Sequence, residues 1–370
     1  MIQRMVRDFA EGEVSPRAAE VDRSGEFPLD TFRKMADLGL LGLPIAEEYG
    51  GAGADTVSFA LAVEEIGRAC ASTGLSYAAH VSLGCGPIAY FGTEEQKQKY
   101  LIPLASGAKL GAFGLTEPEA GSDAGGTRTR AIKDGTQYII DGGKSFITNA
   151  EYAGTAVITA SLGRDDAGRN RVIAFIVPTD TQGFSVVRRY EKMGLRGSNT
   201  VELAFDEMRV SEEQRLGDEA AGFRQFLYTL DGGRIGIGAL SVGLARAAYE
   251  AALSYATTRM QFGRTISQFQ AVSFKLADMA LHIELARNMV LKAAWLKDRG
   301  RSFTKEAAMA KLFASEMCVR ACDAAVQIHG GAGYVNDFPV ERFYRDAKLM
   351  EIGEGTSEVQ RMVIARQIGC

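Results

Sequence analysis

The sequence predicts an α+β protein in which helices, then β-strands, then longer helices follow one another along the chain. Apolar residues recur at helical spacing up to about residue 110 and again from about residue 217, and short β-branched runs fill residues 111–216. The chain has 370 residues, of which 46% are hydrophobic, so it is long enough for more than one packed core. We therefore expect three structural parts.

Residues 1–110 are predicted to form an N-terminal α-helical domain. The segments "LDTFRKMADLGLLGL" and "TVSFALAVEEIGRACAS" carry apolar residues at steps of three and four, and glycine or proline marks the joins. This spacing gives each helix one apolar face. The faces are expected to pack against one another.

Residues 111–216 are predicted to form a middle β domain, an antiparallel barrel or sandwich. Its strand candidates are rich in β-branched and aromatic residues, namely "TQYIIDGGKSFITN", "GTAVITASLG", "NRVIAFIVPTD", "FSVVRRY" and "NTVELAFDEMRV". Glycine, aspartate and asparagine separate these runs at the spacing of an antiparallel sheet.

Residues 217–370 are predicted to form a C-terminal four-helix bundle. One long helix shows a sustained apolar seam with alternating steps of three and four, at Phe269, Val272, Leu276, Met279, Ile283, Ala286, Val290 and Ala293. Thr304 is expected to cap the next helix, which should end near His329 before Gly330. The chain is therefore predicted to return to helical packing after the sheet.

The charge balance excludes several classes of partner. The 42 basic and 46 acidic residues give a formal net charge of −4, so nucleic acid and anionic membranes are not expected as main partners. No stretch approaches the roughly 20 apolar residues of a membrane span, and the first residues lack the apolar core of a signal peptide.

Cysteine usage favours a reducing compartment. Five cysteines, odd in number and scattered, argue against a disulfide framework. Cys318 and Cys322 share a predicted helical face and, with three histidines in the chain, are interpreted as small core residues rather than metal ligands. No metal site is expected. The bacterial cytoplasm is the expected location, with the mitochondrial matrix as the alternative.

Two glycine-rich segments are candidates for chemistry. In "IGEGTSEV" Glu354 stands between Gly353 and Gly355, just before a helix that Thr356 or Ser357 can cap. The alternative is a solvated acid at a flexible turn. The second segment, "FGLTEPEAGSDAGG", suits close approach of backbone N–H groups to a ligand, but it is neither a P-loop nor a dinucleotide fingerprint. It could equally be a structural connection.

Six motifs resemble those of the acyl-CoA dehydrogenase family and occur in the same order. They are "LTEPEAGSD", "GGKSFITNA", "KMGLRGSNT", "RMQFGR", "QIHGGAGY" and "EIGEGTSEVQR", and they run over essentially the whole chain. The segments "LDGGRIGIGALSVG" and "EGTSEVQR" look most like the short-chain and general bacterial branch. The resemblance implies the same α–β–α architecture that the periodicity predicts.

The resemblance also implies an oxidoreductase of the fatty-acid β-oxidation type, a flavoprotein containing FAD. Such an enzyme oxidises an acyl-CoA to its trans-2-enoyl form and passes electrons to an electron-transfer flavoprotein. Family members are usually homotetramers built as a dimer of dimers, so an active site completed by a neighbouring subunit is expected.

Site residues follow from the matched positions. Glu354 corresponds to the catalytic base. Residues expected at the flavin are Phe113, Leu115, Thr116, Ser122, Phe146, Thr148, Thr356 and Glu358, and those expected to reach a neighbouring subunit's FAD are Arg259, Phe262, Gln270, Gln327, Gly330 and Gly331. Residues expected at the acyl-CoA are Ser122, Asp231, Arg234, Gly355 and Arg366.

Two positions refine this expectation. Some branches of the family take their base from the helix carrying "LDGGRIGIG", but here that segment has Gly232 and Gly233, which agrees with Glu354 as the base. Straight-chain branches commonly have tyrosine before the glutamate, whereas this chain has Gly353. The change implies a wider pocket, so short- to medium-chain acyl groups, including branched or bulky ones, stay open as substrates.

Other readings of the sequence remain to be separated from this one. Related oxidases of the larger type carry an extra C-terminal bundle for which this length leaves no room, and monooxygenase-like relatives lack the glutamate. A nucleic-acid-binding relative would want a basic patch. An apo scaffold protein would show neither flavin colour nor bleaching by acyl-CoA.

Overall fold

The computed structural model describes residues 1–219 and 221–370. Its first part is helical, as predicted. The helices are α1 (Ile2–Phe9), α2 (Ala18–Ser24), α3 (Leu29–Asp37), α4 (Thr56–Ala69), α5 (Ala71–Ala79), α6 (Gly86–Phe91), α7 (Glu94–Gln96) and α8 (Ile102–Ala105). The Asp55 carboxylate caps α4 by accepting from the Ser58 backbone N–H at 2.7 Å.

A single seven-stranded sheet forms the middle part. Its strands are β1 (Leu110–Gly114), β2 (Arg130–Asp134), β3 (Gln137–Thr148), β4 (Ala153–Arg164), β5 (Asn170–Pro178), β6 (Phe184–Arg189) and β7 (Thr200–Ser211). Most neighbours are antiparallel, as predicted, but β4 pairs in parallel with β1 and, at its end, with β2.

The last part contains the long helices α9 (Gly222–Thr258), α10 (Gln270–Asp298), α11 (Thr304–His329), α12 (Val340–Ala347) and α13 (Ser357–Ile368), with a short hairpin of β8 (Met260–Gln261) and β9 (Arg264–Thr265). The predicted seam of α10 is buried from Leu276 to Ala293. The cap prediction for α11 is wrong: Phe303 precedes the helix, and the Thr304 hydroxyl instead donates to Asp231.

The two helical parts share one hydrophobic core, and the sheet has its own. The shared core extends from Val6 and Phe32 through α4 to α9, α10 and α11. The core of the sheet lies among Tyr138, Phe175 and neighbouring strand residues. All five cysteines are free thiols, and Cys318 and Cys322 lie in the shared core as predicted. No helix within the described residues is long and apolar enough to cross a membrane.

Candidate active site

Glu354 lies in the turn between the short helical segment Lys348–Glu351 and α13. Its φ is +54°, and that of Gly355 is +97°. A left-handed conformation costs a residue with a Cβ on the order of 1–3 kcal/mol and persists where the surroundings impose it. Of the two candidate caps for α13, Thr356 is the one used, since its hydroxyl accepts from the Val359 N–H at 3.3 Å.

One oxygen of the Glu354 carboxylate, Oε2, lies against α9. Its Oε2 atom is shielded from solvent and has no hydrogen-bond partner among the described residues. A Cβ built on Gly233 would fall 1.9 Å from Oε2 and 3.1 Å from Leu83 Cδ2. Glycine at 233 therefore leaves the space that the carboxylate occupies. A side chain at Gly233 would enter the same space.

Two cations face this carboxylate from different helices. Arg234 of α9 is 4% exposed and donates to the Asp231 carboxylate at 2.5 Å, and the other Asp231 oxygen accepts from Thr304 at 2.6 Å. Lys311 of α11 is fully buried. The predicted substrate residues Asp231 and Arg234 thus lie beside Glu354, but they are buried and paired with each other.

Burial raises the pKa of Glu354 to about 7, and the positive charges of Lys311 and Arg234 oppose that rise. The N-terminus of α13 would favour the charged form of this carboxyl, whereas burial favours the neutral form. Burial dominates. A carboxylate with a pKa near neutrality is suited to remove a proton at neutral pH.

The glycine-rich segment after β1 is built on a buried ion pair. Lys144 Nζ donates to Glu117 Oε1 at 2.6 Å, to the Leu115 carbonyl at 3.1 Å and to Thr159 Oγ1 at 3.1 Å. The Glu117 carboxylate also accepts from the backbone N–H of Thr129 at 3.1 Å. This pair fixes the chain on both sides of the glycine-rich turn.

The sequence-predicted flavin residues of the sheet lie along this loop and the adjoining strand. The Thr116 carbonyl accepts from the Ser145 N–H at 2.8 Å, next to Phe146. Phe146 has a φ of +61°, is 62% exposed and stacks on Tyr190 with ring centroids 4.7 Å apart. Exposure of a large aromatic ring held in an unfavourable backbone conformation indicates a site where it is used.

The other predicted flavin residues of this region vary in exposure. Phe113 contacts Phe226 of α9 with centroids 4.7 Å apart. Leu115, Thr116 and Thr148 are partly buried, and Ser122 is exposed on the outer part of the loop. This region therefore lies next to the first turns of α9. Asp231 follows on the same helix, and Glu354 packs against Gly233 two residues further on.

A third group of predicted residues lies at the opposite end of α9. Its members are exposed: Arg259, Phe262, Gln270, Gln327, Gly330 and Gly331. The ring of Tyr255 stacks on His329 at 4.3 Å and joins the ends of α9 and α11 there. At 1.5 Å per helical residue, Arg259 lies about 40 Å from Asp231 along α9. One chain does not bring this group to Glu354.

Three further predicted residues lie at different places along α13 and the turn before it. Gly355 forms the turn. Glu358 is exposed in the first turn of α13, where a backbone N–H and Thr356 hold its pKa below the usual range. Arg366 is exposed in the last turn. It stands about 15 Å beyond Thr356 along the helix, and the fold does not bring it to Glu354.

Comparison with known proteins agrees with this geometry. Residues 1–108, 112–208 and 220–369 match the N-terminal, middle and C-terminal domains of acyl-CoA dehydrogenase. The chain belongs to the acyl-CoA dehydrogenase family. It is an enzyme of the flavin oxidoreductase class, as the sequence motifs predicted.

Individual relatives cover the whole chain of this acyl-CoA dehydrogenase. A probable acyl-CoA dehydrogenase of Bacillus subtilis, YngJ, is 64% identical over 100% of this chain and 97% of its own. Butyryl-CoA dehydrogenase from Megasphaera elsdenii superposes with a TM-score of 0.97 at 43% identity, covering 99% and 97% of the two chains. A chain from a structure describing the electron transferring flavoprotein of Acidaminococcus fermentans has a TM-score of 0.97 at 45% identity, covering 100% and 97%.

Sequence reasoning missed the buried polar residues behind the site. These are Glu117, Lys144, Lys311 and Gln360. A signal was present for Lys311, because it falls on the same helical stripe as Ala307, Ala314 and Cys318, all of which are buried. A lysine on an apolar helical stripe predicts a buried ammonium group that needs a hydrogen-bond acceptor. The sequence does not show which residue supplies it, because the acceptor, the Gly355 carbonyl, lies outside α11.

Proposed function

We propose that this chain catalyses the FAD-dependent α,β-dehydrogenation of a short- to medium-chain acyl-CoA to the trans-2-enoyl-CoA, with Glu354 removing the α-proton. One observation carries the proposal. The Glu354 Oε2 atom is shielded from solvent and has no hydrogen-bond partner in the described chain, and burial raises the pKa of this carboxyl to about 7. A carboxylate in that state is a base without a structural task.

Proton removal next to a thioester needs a base and a donor for the developing negative charge on the carbonyl oxygen. Glu354 supplies the base. Its own backbone N–H has no acceptor among residues 1–219 and 221–370, so it is free to donate to the thioester oxygen. The charge of Arg234 lies near Glu354, and Arg234 with its partner Asp231 is proposed to border the acyl-CoA site.

The residues present fit a flavin. Phe146 offers an exposed aromatic face, and Leu115 and Thr116 lie in a loop fixed by the Lys144–Glu117 pair. Thr148 lies two residues from Phe146 on the same strand. Bound FAD would supply the two-electron acceptor, its N5 taking the substrate β-hydride.

A distance within the chain supports the proposal that a second chain completes the site. The exposed group that contains Arg259 and Phe262 is about 40 Å from Asp231 along α9. Cβ atoms built at Gly330 and Gly331 meet nothing within 4 Å, so the backbone there is open to the approach of a ligand. We propose that this group contacts FAD of a neighbouring subunit in a homotetramer. The exposed apolar residues Phe274, Leu281 and Leu285 of α10 offer surface for such contacts.

We further propose an electron-transfer flavoprotein as electron acceptor and the cytoplasm as location. The similarity to a chain in the structure describing the A. fermentans electron transferring flavoprotein supports the partner. Reduction of that flavoprotein by this enzyme and acyl-CoA tests it.

The substrate pocket is proposed to accept branched or bulky acyl groups. Gly353 has an ordinary φ, and a Cβ built there lies 3.6 Å from the Leu349 carbonyl oxygen, an ordinary contact. Neither backbone conformation nor packing therefore requires glycine at 353. The absence of a side chain leaves space beside Glu354.

Anaerobic flavin reduction by butyryl-, isovaleryl- and hexanoyl-CoA is the deciding experiment, with Glu354→Gln as the test variant. We expect the variant to keep FAD and bind acyl-CoA while flavin bleaching slows by about 10³-fold or more, since the base is lost. Glu316→Gln is the matched control, because Glu316 is on α11 and pairs with Arg361 at 2.6 Å.

Two results would count against the proposal. A wild-type enzyme whose flavin none of the three thioesters bleaches would refute the substrate class. A Glu354→Gln enzyme with near-normal bleaching would refute the base.

A further inference from the structure

Lys311 is a buried cation that the proposed reaction does not use directly. It lies in the first third of α11 and has 0% relative exposure. Its Nζ donates to the Gly355 carbonyl at 2.7 Å, and no carboxylate lies within ion-pair distance of it in the described part of the chain. A buried ammonium group with a single neutral acceptor is costly, so a further favourable charge must be close.

That charge is Glu354. The ionisable groups near Lys311 are Glu354, Arg234, Glu351 and Glu358, and Glu354 is the strongest of the acidic ones. Arg234 is occupied by Asp231 through their buried ion pair. Lys311 is therefore the cation near Glu354 that is not already neutralised by an adjacent carboxylate.

The same lysine fixes the backbone that carries Glu354. The Gly355 carbonyl receives a second donor, Gln360 Nε2 of α13, at 2.9 Å, and this amide also reaches the Glu354 carbonyl at 3.2 Å. Gln360 is fully buried. Side chains from α11 and α13 thus hold both carbonyls of a turn with φ values of +54° and +97°.

We propose that Lys311 is a positioning residue for the base: its ammonium group clamps the Gly355 carbonyl and stabilises the negative charge of Glu354 across the turn. The inference rests on the proposed role of Glu354. Burial lowers the pKa of Lys311 to about 8, with the neighbouring carboxylates opposing the fall, so the group is mostly charged at neutral pH. The clamp and the charge are two effects of one side chain, and they can be separated.

Lys311→Gln and Lys311→Met separate them, with Lys305→Met at the exposed start of α11 as control. Each FAD-loaded enzyme is assayed for kcat and KM with butyryl-CoA between pH 6 and 9, for FAD content and for thermal unfolding. Glutamine can still donate to the carbonyl but carries no charge. We expect the pH midpoint of kcat to rise by about 1 for Lys311→Gln, a roughly fivefold loss at pH 7 that is recovered at pH 9, with KM changed less than about threefold.

Methionine removes the charge and the donor, so the loss for Lys311→Met should persist at pH 9. Folded Lys311→Gln and Lys311→Met enzymes that keep the wild-type pH midpoint and kcat would overturn the proposed role of Lys311. The role of Glu354 as the base would still stand if Glu354→Gln is inactive in the same assay. Near-normal turnover in Glu354→Gln would instead overturn both. Should the Lys311 variants not fold, Gln360→Met tests the clamp: kcat should fall about threefold or more with an unchanged midpoint, and wild-type kcat would refute it.

Discussion

Two fully buried lysines support the two loops of the site, and they do so differently. Lys144 of the sheet directs its three N–H donors to the Glu117 carboxylate, the Leu115 carbonyl and the Thr159 hydroxyl. Lys311 of α11 makes one hydrogen bond, to the Gly355 carbonyl. Burial lowers the pKa of both lysines to about 8. Lys144 therefore belongs to a closed network, in which all three of its N–H donors have acceptors. Lys311 belongs to an open one, in which a single acceptor is present.

The carboxylates near the two lysines differ in the same sense. Burial acts to raise the pKa of Glu117, but the Lys144 charge and backbone N–H groups outweigh it, so the pKa is held below the usual range. Burial raises the pKa of Glu354 to about 7 because no hydrogen bond compensates it. Glu117 is an ion with a fixed charge, and Glu354 is a group whose charge can change near neutral pH. This difference in pKa fits a structural role for Glu117 in the glycine-rich loop and the proposed role of base for Glu354.

The largest expected effect comes from breaking the closed network. Lys144→Met should leave Glu117 as an uncompensated buried charge and lower the free energy of unfolding by about 3–5 kcal/mol. FAD should be lost with it, because Leu115 is no longer held. Chemical denaturation and the flavin absorbance of the purified protein measure the two effects.

Lys133→Met is the control for this prediction. Lys133 is an exposed lysine on β2 that pairs with Glu212 at 3.3 Å. Surface pairs contribute little, so no measurable change in the unfolding midpoint is expected. Equal destabilisation by both variants would mean that the Lys144–Glu117 pair has no special part in the loop.

A substitution of Glu354, in the second loop, should raise the free energy of unfolding, whereas Lys144→Met lowers it. An unfolded glutamate has a pKa of about 4.3, whereas Glu354 has one of about 7 in the fold. Between these values the folded state binds more protons than the unfolded state, so the stability contributed by Glu354 falls as pH rises and the full loss is reached above pH 7. Glu354→Gln should therefore be more stable than wild type by roughly 3–4 kcal/mol at pH 8.

The stabilisation should shrink to roughly 0.5 kcal/mol at pH 4.5, where Glu354 is protonated in the fold. Urea denaturation at the two pH values measures the difference. If the variant and wild type were equally stable at pH 8, the ionised Glu354 carboxylate would carry no free-energy penalty in the folded state. A stabilised but inactive variant is the usual signature of a group kept for function.

Much of this arrangement was predictable from the sequence, and the part that was not has a common cause. The apolar seam of α10 and the glycines around Glu354 are local patterns, so periodicity and turn chemistry indicate them. The partners Lys144–Glu117 and Lys311–Gly355 are 27 and 44 residues apart, and no local pattern links them. Thr304 shows the same limit, because its hydroxyl binds Asp231, 73 residues away, rather than capping α11.

The pH dependence of turnover is the next effect in size. Since the base acts as the carboxylate, kcat/KM for butyryl-CoA should fall about tenfold per pH unit below pH 7 and level off above it. The ratio kcat/KM reports the free enzyme, in which burial raises the pKa of Glu354 to about 7. A plateau that continues down to pH 5.5 would show that Glu354 titrates like an exposed carboxylate.

The smallest expected effect concerns Gly353, where the two loops differ in available space. A Cβ built on Gly114, next to the cofactor loop, meets Ile158 Cγ2 at 3.0 Å and Lys144 Cγ at 3.3 Å, whereas one on Gly353 meets nothing closer than 3.6 Å. Gly353→Tyr should therefore fold normally and narrow the space beside Glu354. We expect kcat/KM for isovaleryl-CoA to fall about fivefold relative to butyryl-CoA, or about 1 kcal/mol. Gly353→Ala, which adds one methyl group, should leave this ratio nearly unchanged, and a ratio equally insensitive to tyrosine would place the acyl group elsewhere.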